Sequence, residues 1–541
     1  MADSLAKFES ANGTKSQRQV TEEIGIPRST LQYWLTRKKH IDAEPELISF
    51  FESPVGTAFL HRLVLGAHFV MTMSGPGSTR HVCQLFELTG LDQFIASSYG
   101  AQYNVSVEME QAIINFDHSE RERLAASMSS KEISVCEDET FHPETCLVAI
   151  EPVSNFILLE KYADSRKAEE WTKAMGEATF GLPVKIVQSI SDEGKGILHH
   201  VKSDLGVQHA PDVFHVQHEI VKGTSAVLAS KKKKAEASLD KATKDVQRCI
   251  REKDKYLQTQ HGPGRPPQFD KRIGASLQNQ EDAKRDLESA ESHQQRMKEA
   301  IQKIGKVYHP VDLETGKLRQ TNEVSESLND CFNKMEAVAS EANLLERSLK
   351  KIQKAKKVIV DMVATVLFYH MSILAKIEDL SLPLKVEQAV MDMLIPGLYL
   401  KRVSKQAKTA DDRQRLHRKA LDILKPLQDE NGPFSDLNAE ELKLIQNVGE
   451  ECANLFQRSS SCVEGRNGQL SLRHHGLHRL SNRKLASLTA VHNYFIRRRD
   501  GTTAAERFFG TKPRDMFEFL LSNMDTPGRP ANAGHNRWPK R

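Results

Sequence analysis

The sequence has few of the features that mark secreted, membrane-bound or zinc-binding proteins. Its seven cysteines are scattered among 541 residues without a Cys-x-x-Cys pair, which argues against a disulfide scaffold and a zinc module. The first ten residues lack the apolar stretch of a signal peptide. The most apolar run, 358–377, carries Asp361, His370 and Lys376. Because these groups are costly in hydrocarbon, we interpret the run as a buried helix.

Neither sign of charge dominates the chain, because its formal net charge is only +4. This near-neutrality excludes a histone-like, polybasic protein, although it leaves room for a local basic patch. Such a patch is present, since residues 451–541 contain 16 basic and 7 acidic side chains. An anionic partner such as a DNA backbone is expected to bind there.

Residues 15–40 have the pattern of a helix-turn-helix. Val20 and Ile24 lie on one helical face, and Gly25 provides a turn before a second helix. The second helix carries polar groups suited to base edges and basic groups suited to phosphates. These side chains are Arg28, Ser29, Gln32, Tyr33, Arg37, Lys38 and Lys39. We therefore predict a DNA-binding domain at 1–45, with a plain helical hairpin as the alternative.

The next part of the chain changes from helical to β-rich patterns. Residues 46–130 are predicted to form a helical spacer or a second DNA-binding domain. Short β-rich runs then alternate with turns and helices, and they lie at 132–141, 146–151, 155–163, 184–190 and 212–216. This order predicts an α/β domain with a mixed five-stranded sheet within residues 131–221.

Long polar helices follow the predicted sheet. Stretches 225–260 and 273–305 repeat apolar residues at steps of three and four, and the Pro/Gly-rich segment between them would interrupt a helix. We predict an antiparallel coiled-coil arm within an all-α segment at 222–450. The tail, 525–541, is rich in Pro, Gly and Asn and is predicted to be a disordered basic segment.

Acidic residues mark a candidate metal site. Asp138 lies in the first predicted strand, and Asp192 lies at the end of the fourth. Because the first and fourth strands of a mixed sheet can be neighbours, the two carboxylates can meet and then require a cation such as Mg²⁺ or Mn²⁺. The alternative is two ordinary acids at strand ends. Glu137 and Glu139 alternate to the opposite face and rank second.

A third acid, Glu464, begins a basic helical stretch, and here the chain resembles a known family. The segments that carry the resemblance are Asp138-Glu139-Thr140, Ser191-Asp192, Asp212-Val213-Phe214-His215, Ser461-Cys462-Val463-Glu464-Gly465-Arg466-Asn467 and Gly501-Thr502-Thr503-Ala504-Ala505-Glu506-Arg507. Their order resembles that of the DDE transposases of bacterial insertion sequences. The resemblance covers about a third of the chain. Ala504 departs from it, because the family usually has Pro there.

The resemblance implies an RNase H-like catalytic core, split by the all-α segment into 131–221 and 451–524. It implies that Asp138, Asp192 and Glu464 hold two divalent ions, Mg²⁺ or Mn²⁺, for DNA cleavage and strand transfer. His215 would orient a phosphate or the nucleophile, with a core histidine as the alternative. Transposon ends and target DNA would be the partners of a homo-oligomer in the cytoplasm, associated with the nucleoid. A nuclease without strand transfer and a non-enzymatic DNA-binding regulator remain alternatives.

Further arginines are candidates for DNA binding. Those near the third acid are Arg466, Arg473, Arg479, Arg483, Arg497 and Arg498. Arg265 lies in a Pro-Gly-Arg-Pro segment at 263–266 that recurs at 527–530. An arginine in such a segment can enter a narrow minor groove, and a simple turn at a loop tip is the alternative.

Overall fold

The computed structural model describes residues 7–8, 10–11, 14–39, 41, 43–141, 144–260, 262, 264–477 and 480–530. Five strands form one sheet, and they are β1 (Lys131–Phe141), β2 (Thr145–Glu151), β3 (Phe156–Tyr162), β4 (Val184–Ser191) and β5 (Gln208–Pro211). Their spatial order is β3-β2-β1-β4-β5. β2 and β3 pair antiparallel, whereas β4 and β5 pair parallel. The predicted mixed sheet is thus confirmed, with β1 and β4 as neighbours.

Helices make up most of the remaining chain. Those before and within the sheet are α1 (Gln17–Ile24), α2 (Arg28–Lys39), α3 (Pro45–Glu52), α4 (Pro54–His68), α5 (Thr79–Leu88), α6 (Tyr99–Ser127), α7 (Ala168–Thr179) and α8 (Lys195–His199). The long segment after β5 contains α9 (Val213–Leu257), α10 (Phe269–Val307), α11 (Thr321–Glu341), α12 (Glu346–Lys356), α13 (Ile359–Glu378), α14 (Leu384–Ala389), α15 (Ile395–Gln406), α16 (Ala410–Leu424) and α17 (Ala439–Leu455). The last helices are α18 (Ser461–Leu477), α19 (Asn482–Tyr494), α20 (Ala504–Phe509) and α21 (Met516–Asn523).

The fifth strand differs from the prediction. It ends at Pro211, and the segment predicted as a strand at 212–216 instead begins α9. The cause is local, because the Asp212 carboxylate accepts a hydrogen bond from the backbone N–H of Phe214 at 2.7 Å. An aspartate in this position satisfies a helical N–H that has no partner within the helix.

The chain divides into two compact units. The first unit comprises Met1–Glu132, Asp138–Lys185 and Cys462–Arg541, and the second comprises Ile133–Glu137 and Ile186–Ser461. The boundaries differ from the predicted split between a catalytic core and an insertion. β5 joins the second unit because it packs on the helices that follow it, and the Thr365 hydroxyl of α13 lies 3.4 Å from the His209 carbonyl oxygen.

The core of the first unit combines helices with the β2–β3 hairpin. α6 buries Met109, Ile113 and Phe116 along one face, at the spacing expected for a helix that packs on one side. The Phe156 ring of β3 stacks on Phe508 of α20, with ring centroids 4.5 Å apart. The C-terminal segment is therefore an integral part of this core.

The second unit has an all-helical core that extends from α9 to α17. Its α13 belongs to a stretch, Glu346–Glu378, that is apolar and long enough to cross a membrane, as is Pro54–Ser74 in the first unit. The core helix of a soluble protein passes the same test. In α13, Tyr369 is buried whereas Met371 is 61% exposed. The helix predicted to be buried is thus buried on one face only.

The tail is ordered further than predicted. The carbonyl oxygen of Gly528 accepts a hydrogen bond from Ala96 N–H at 2.7 Å. The Arg529 guanidinium donates to the carbonyl oxygens of Phe94 and Phe51 at 2.8 and 2.9 Å. The prediction of disorder is therefore wrong for residues 525–530, and the rest of the tail lies outside the described residues.

Candidate functional site

Two of the predicted metal ligands meet in the first unit. Asp138 lies near the end of β1 and is 8% exposed, whereas Glu464 lies in the first turn of α18 and is exposed. A carboxylate oxygen of one lies within 4.8 Å of a carboxylate oxygen of the other, although 326 positions separate the two residues in the sequence. Two hard oxygen donors at this separation suit a divalent cation such as Mg²⁺.

A buried ion pair fixes the helix that carries Glu464. Arg466, two residues later on α18, donates to both carboxylate oxygens of Glu160 on β3, at 2.7 and 2.5 Å. Its side chain is 7% exposed, and that of Glu160 is fully buried. The hydroxyl of Thr489 also donates to Glu160, at 2.6 Å. Since the Arg466 guanidinium is engaged in this buried pair, we assign it to positioning α18, and its role as a DNA contact stays an untested prediction.

The second predicted aspartate lies in the second unit. Asp192 follows β4, and its Oδ1 accepts a hydrogen bond from Gly194 N–H at 2.9 Å. This contact shapes the turn between β4 and α8. Asp192 is partly exposed, so its carboxylate remains within reach of solvent. Its role as a metal ligand stays a prediction.

Asp212 is a buried acid that the sequence reasoning did not select. Its Oδ2 accepts hydrogen bonds from the backbone N–H and the hydroxyl of Ser460, and it lies 3.3 Å from His215 Nδ1. Burial favours the neutral acid, but hydrogen bonds from His215, Ser460 and Phe214 outweigh it and lower the pKa of Asp212. His215 is thus held by a charged partner in the second unit. An aspartate directly before a helical pattern is typical of a helix N-cap, and this signal could have identified Asp212 in the sequence.

A second buried acid, Glu137, precedes Asp138 on β1. The Glu137 side chain is fully buried, and the Ser189 hydroxyl of β4 donates to it at 2.8 Å. His200 Nε2 lies 3.6 Å from the other carboxylate oxygen. Glu139 instead accepts from Trp171 Nε1 at 3.1 Å in the first unit. Both flanking acids therefore have partners within the protein.

The predicted recognition helix forms as the second of two short helices. Gly25 has a left-handed backbone with φ of 73° and ends α1, which suits glycine at a helix C-terminus. On α2, Arg28, Ser29 and Gln32 are exposed. The other four side chains predicted to bind DNA lie outside the described part of the structure, and they are Tyr33, Arg37, Lys38 and Lys39. DNA binding by this region stays a prediction.

The basic C-terminal segment divides into structural and exposed arginines. Arg473 donates to the carbonyl oxygens of Thr72 and Gly75 at 3.2 and 2.9 Å and so closes the end of a π-helical turn. Arg473 thus has a structural role, and its predicted DNA contact stays untested. Arg483 donates to Glu110 at 2.9 Å and is partly exposed.

Among the remaining predicted DNA contacts, Arg497 and Arg498 are exposed, and Arg479 lies outside the described residues. The two Pro-Gly-Arg-Pro segments have different environments. Arg265 is exposed in the loop between α9 and α10, whereas Arg529 anchors the tail. The repeat therefore does not mark two equivalent DNA-binding loops.

A family of unknown function, DUF6399, matches residues 390–536 of the chain. The matched region includes Glu464 and Arg466 but neither Asp138 nor Asp192. No curated protein matches the chain. The family gives no activity for this chain, so a functional assignment depends on the geometry described above.

Proposed function

We propose that the protein is a DNA transposase that binds the ends of a mobile element and catalyses metal-dependent cleavage and strand transfer. The observation that carries the proposal is the approach of the Asp138 and Glu464 carboxylates within 4.8 Å. These acids come from distant parts of the sequence and match the first and last acids of the DDE pattern. A divalent cation between the two carboxylates would offset the repulsion of their like charges.

The arrangement of the sheet supports an RNase H-like core. β1, which carries Asp138, has β2 and β4 as its neighbours in a mixed sheet. Asp192 immediately follows β4, as the DDE pattern requires of the second acid. The helical stretch from α9 to α17 separates β5 from the helix that carries Glu464, which supports the proposal of a large helical insertion.

Each group has a proposed role. Asp138, Asp192 and Glu464 would hold two divalent cations, Mg²⁺ or Mn²⁺, and His215 would orient a phosphate or the nucleophile. A bound cation would stabilise the negative charge that develops at phosphorus. Glu160 and Arg466 keep Glu464 in place. The exposed residues of α2 would contact the transposon ends. We further propose that the protein acts as a homo-oligomer in the cytoplasm, in association with nucleoid DNA.

The proposal is tested with a plasmid that carries the genomic flanks of the gene, a target plasmid and Mg²⁺. We expect the wild type to cut the flanks and to join the 3′-ends to the target. The variants Asp138→Asn, Asp192→Asn and Glu464→Gln should each lose at least 100-fold in rate, because each removes a cation ligand. Glu518→Gln is the matched control, since it neutralises an exposed acid paired with Arg62.

Three outcomes separate the alternatives. Cutting without joining would favour a nuclease. DNA binding without any metal-dependent cutting would favour a non-enzymatic regulator. Equal cutting by the wild type and the three acid variants would show that the carboxylates are not the catalytic groups.

A further inference from the structure

The coiled-coil arm of the second unit is a long antiparallel hairpin. α9 has 45 residues and α10 has 39. The two helices are antiparallel, because Lys232 pairs with Glu291 at 2.9 Å, whereas Lys253, nearer the tip, pairs with Asp270 at 2.7 Å. Val246 of α9 lies in the buried seam. The side of α9 that faces away from this seam is therefore available to another molecule.

Basic residues occupy the outward side of α9 at regular intervals. One row repeats every seven residues, which corresponds to about 10.5 Å along a helix. It consists of Lys234, Lys241, Arg248 and Lys255. The adjacent row consists of Ala237, Lys244 and Arg251. The six basic side chains are all exposed, and neither row contains an acid.

Among the described residues, only two of the six basic side chains form ion pairs. Among the described residues, no carboxylate lies within ion-pair distance of Lys234, Lys241 or Lys255. Lys244 and Arg248 contact Asp240 and Asp245 on their own helix, at 2.6 and 2.9 Å, and Arg248 also lies 3.8 Å from Glu252. Exposed pairs of this kind contribute little to stability, so a phosphate can replace the carboxylate at small cost.

One stretch of the second helix of the arm has the opposite character. Between positions 281 and 291, α10 carries five acids, Glu281, Asp282, Asp286, Glu288 and Glu291, and two bases, Lys284 and Arg285. The arm thus has a basic face on α9 and an acidic stretch on α10.

We propose that the outward face of α9 binds the backbone of duplex DNA, an inference that rests on the proposed transposase function. From Lys234 to Lys255 the face spans about 31 Å, which matches about nine base pairs of duplex. An anionic membrane is a poorer partner, because the apolar side of α9 is used in the seam with α10 and a surface-bound helix would insert that side into lipid. Backbone contacts of this kind bind without regard to sequence.

The test measures how binding depends on salt. The full-length variant K234Q/K241Q/K255Q is compared with the wild type on a fluorescein-labelled 40-base-pair duplex of arbitrary sequence between 50 and 200 mM salt. Each lost phosphate contact should lower the slope of log affinity against log salt by about 0.9, so the triple variant should lose about 2.7. Glutamine is chosen because Lys and Gln have similar helix propensity. If the triple variant misfolds, the single variant K241Q replaces it, and its slope should decrease by about 0.9.

The matched control removes three cations from the other helix, as K271Q/K284Q/R285Q. We expect its slope to stay near that of the wild type. An equal decrease in both triple variants would overturn the proposal, because net charge alone would then explain binding. A wild type that cuts and joins DNA, with an unchanged slope in K234Q/K241Q/K255Q, would overturn this inference while the proposed function stands. A wild type that binds no DNA would overturn both.

Discussion

The ion pair between Arg466 and Glu160 allows a direct test of structural against DNA-binding arginines. The sequence places Arg466 among the basic residues beside Glu464, where a DNA contact is the natural prediction. The structure buries the side chain to 7% exposure against a fully buried carboxylate. The substitution Arg466→Met keeps the length and apolar stem of the side chain and removes its charge.

The expected effect is a large loss of stability. Removal of Arg466 leaves the Glu160 carboxylate buried without its cation, and among the described residues only the Thr489 hydroxyl, at 2.6 Å, still donates to it. Loss of one partner from a buried pair costs about 3–5 kcal/mol. Replacement of both partners, as Arg466→Met with Glu160→Leu, should recover much of that loss because no charge is left buried. The coupling between the two sites is therefore the decisive quantity.

Urea unfolding of the wild type, both single variants and the double variant measures this coupling. Tryptophan fluorescence is a suitable probe, since Trp171 is fully buried in the first unit. Arg497→Met is the control, because it removes an exposed arginine and should change stability by less than about 0.5 kcal/mol. An Arg466→Met protein with unchanged stability but weaker DNA binding would refute the structural assignment.

Two further outcomes are expected. Burial lowers the pKa of Lys484 to about 8, with Glu110 opposing the change, so the unfolded chain binds more protons between pH 8 and the ordinary lysine pKa. The free energy of unfolding of the wild type relative to Lys484→Met should thus rise by about 3 kcal/mol from pH 7.5 to pH 10.5, and a difference independent of pH would contradict this. Cys462 is partly exposed whereas the other six cysteines are buried. One thiol should therefore react rapidly with Ellman's reagent in the native protein, and all seven should react after unfolding. Several rapidly reacting thiols in the native protein would contradict this prediction.

Local patterns in the sequence were sufficient for the elements with a regular period. The apolar steps of three and four predicted both arms of the hairpin, and α9 and α10 form there. Alternating and β-branched runs located four of the five strands. The fifth strand was misplaced because the local pattern is ambiguous. An aspartate such as Asp212 can end a strand or cap a helix, and the apolar run after it fits either element.

Part of the candidate site could be predicted from the order of motifs along the chain rather than from local periodicity. Asp138 and Glu464 were selected from a motif order, and the fold brings them together. The roles of the arginines could not be separated in this way, since Arg466 and Arg498 look alike in a basic segment. Their difference depends on Glu160, which is about 300 positions from Arg466 in the sequence.

The sequence by itself determined the period of each element, the local turns and the concentration of positive charge near the C-terminus. These properties depend on neighbours within a few residues, so they can be recognised from the sequence. Only the tertiary structure decided which charges are buried with partners and which remain exposed. The side chains of Arg466, Arg473 and Arg529 donate hydrogen bonds to carboxylates and carbonyl groups that are distant in the sequence. The physical reason is desolvation, because a charge removed from water is retained only where the folded chain supplies its hydrogen-bond partners.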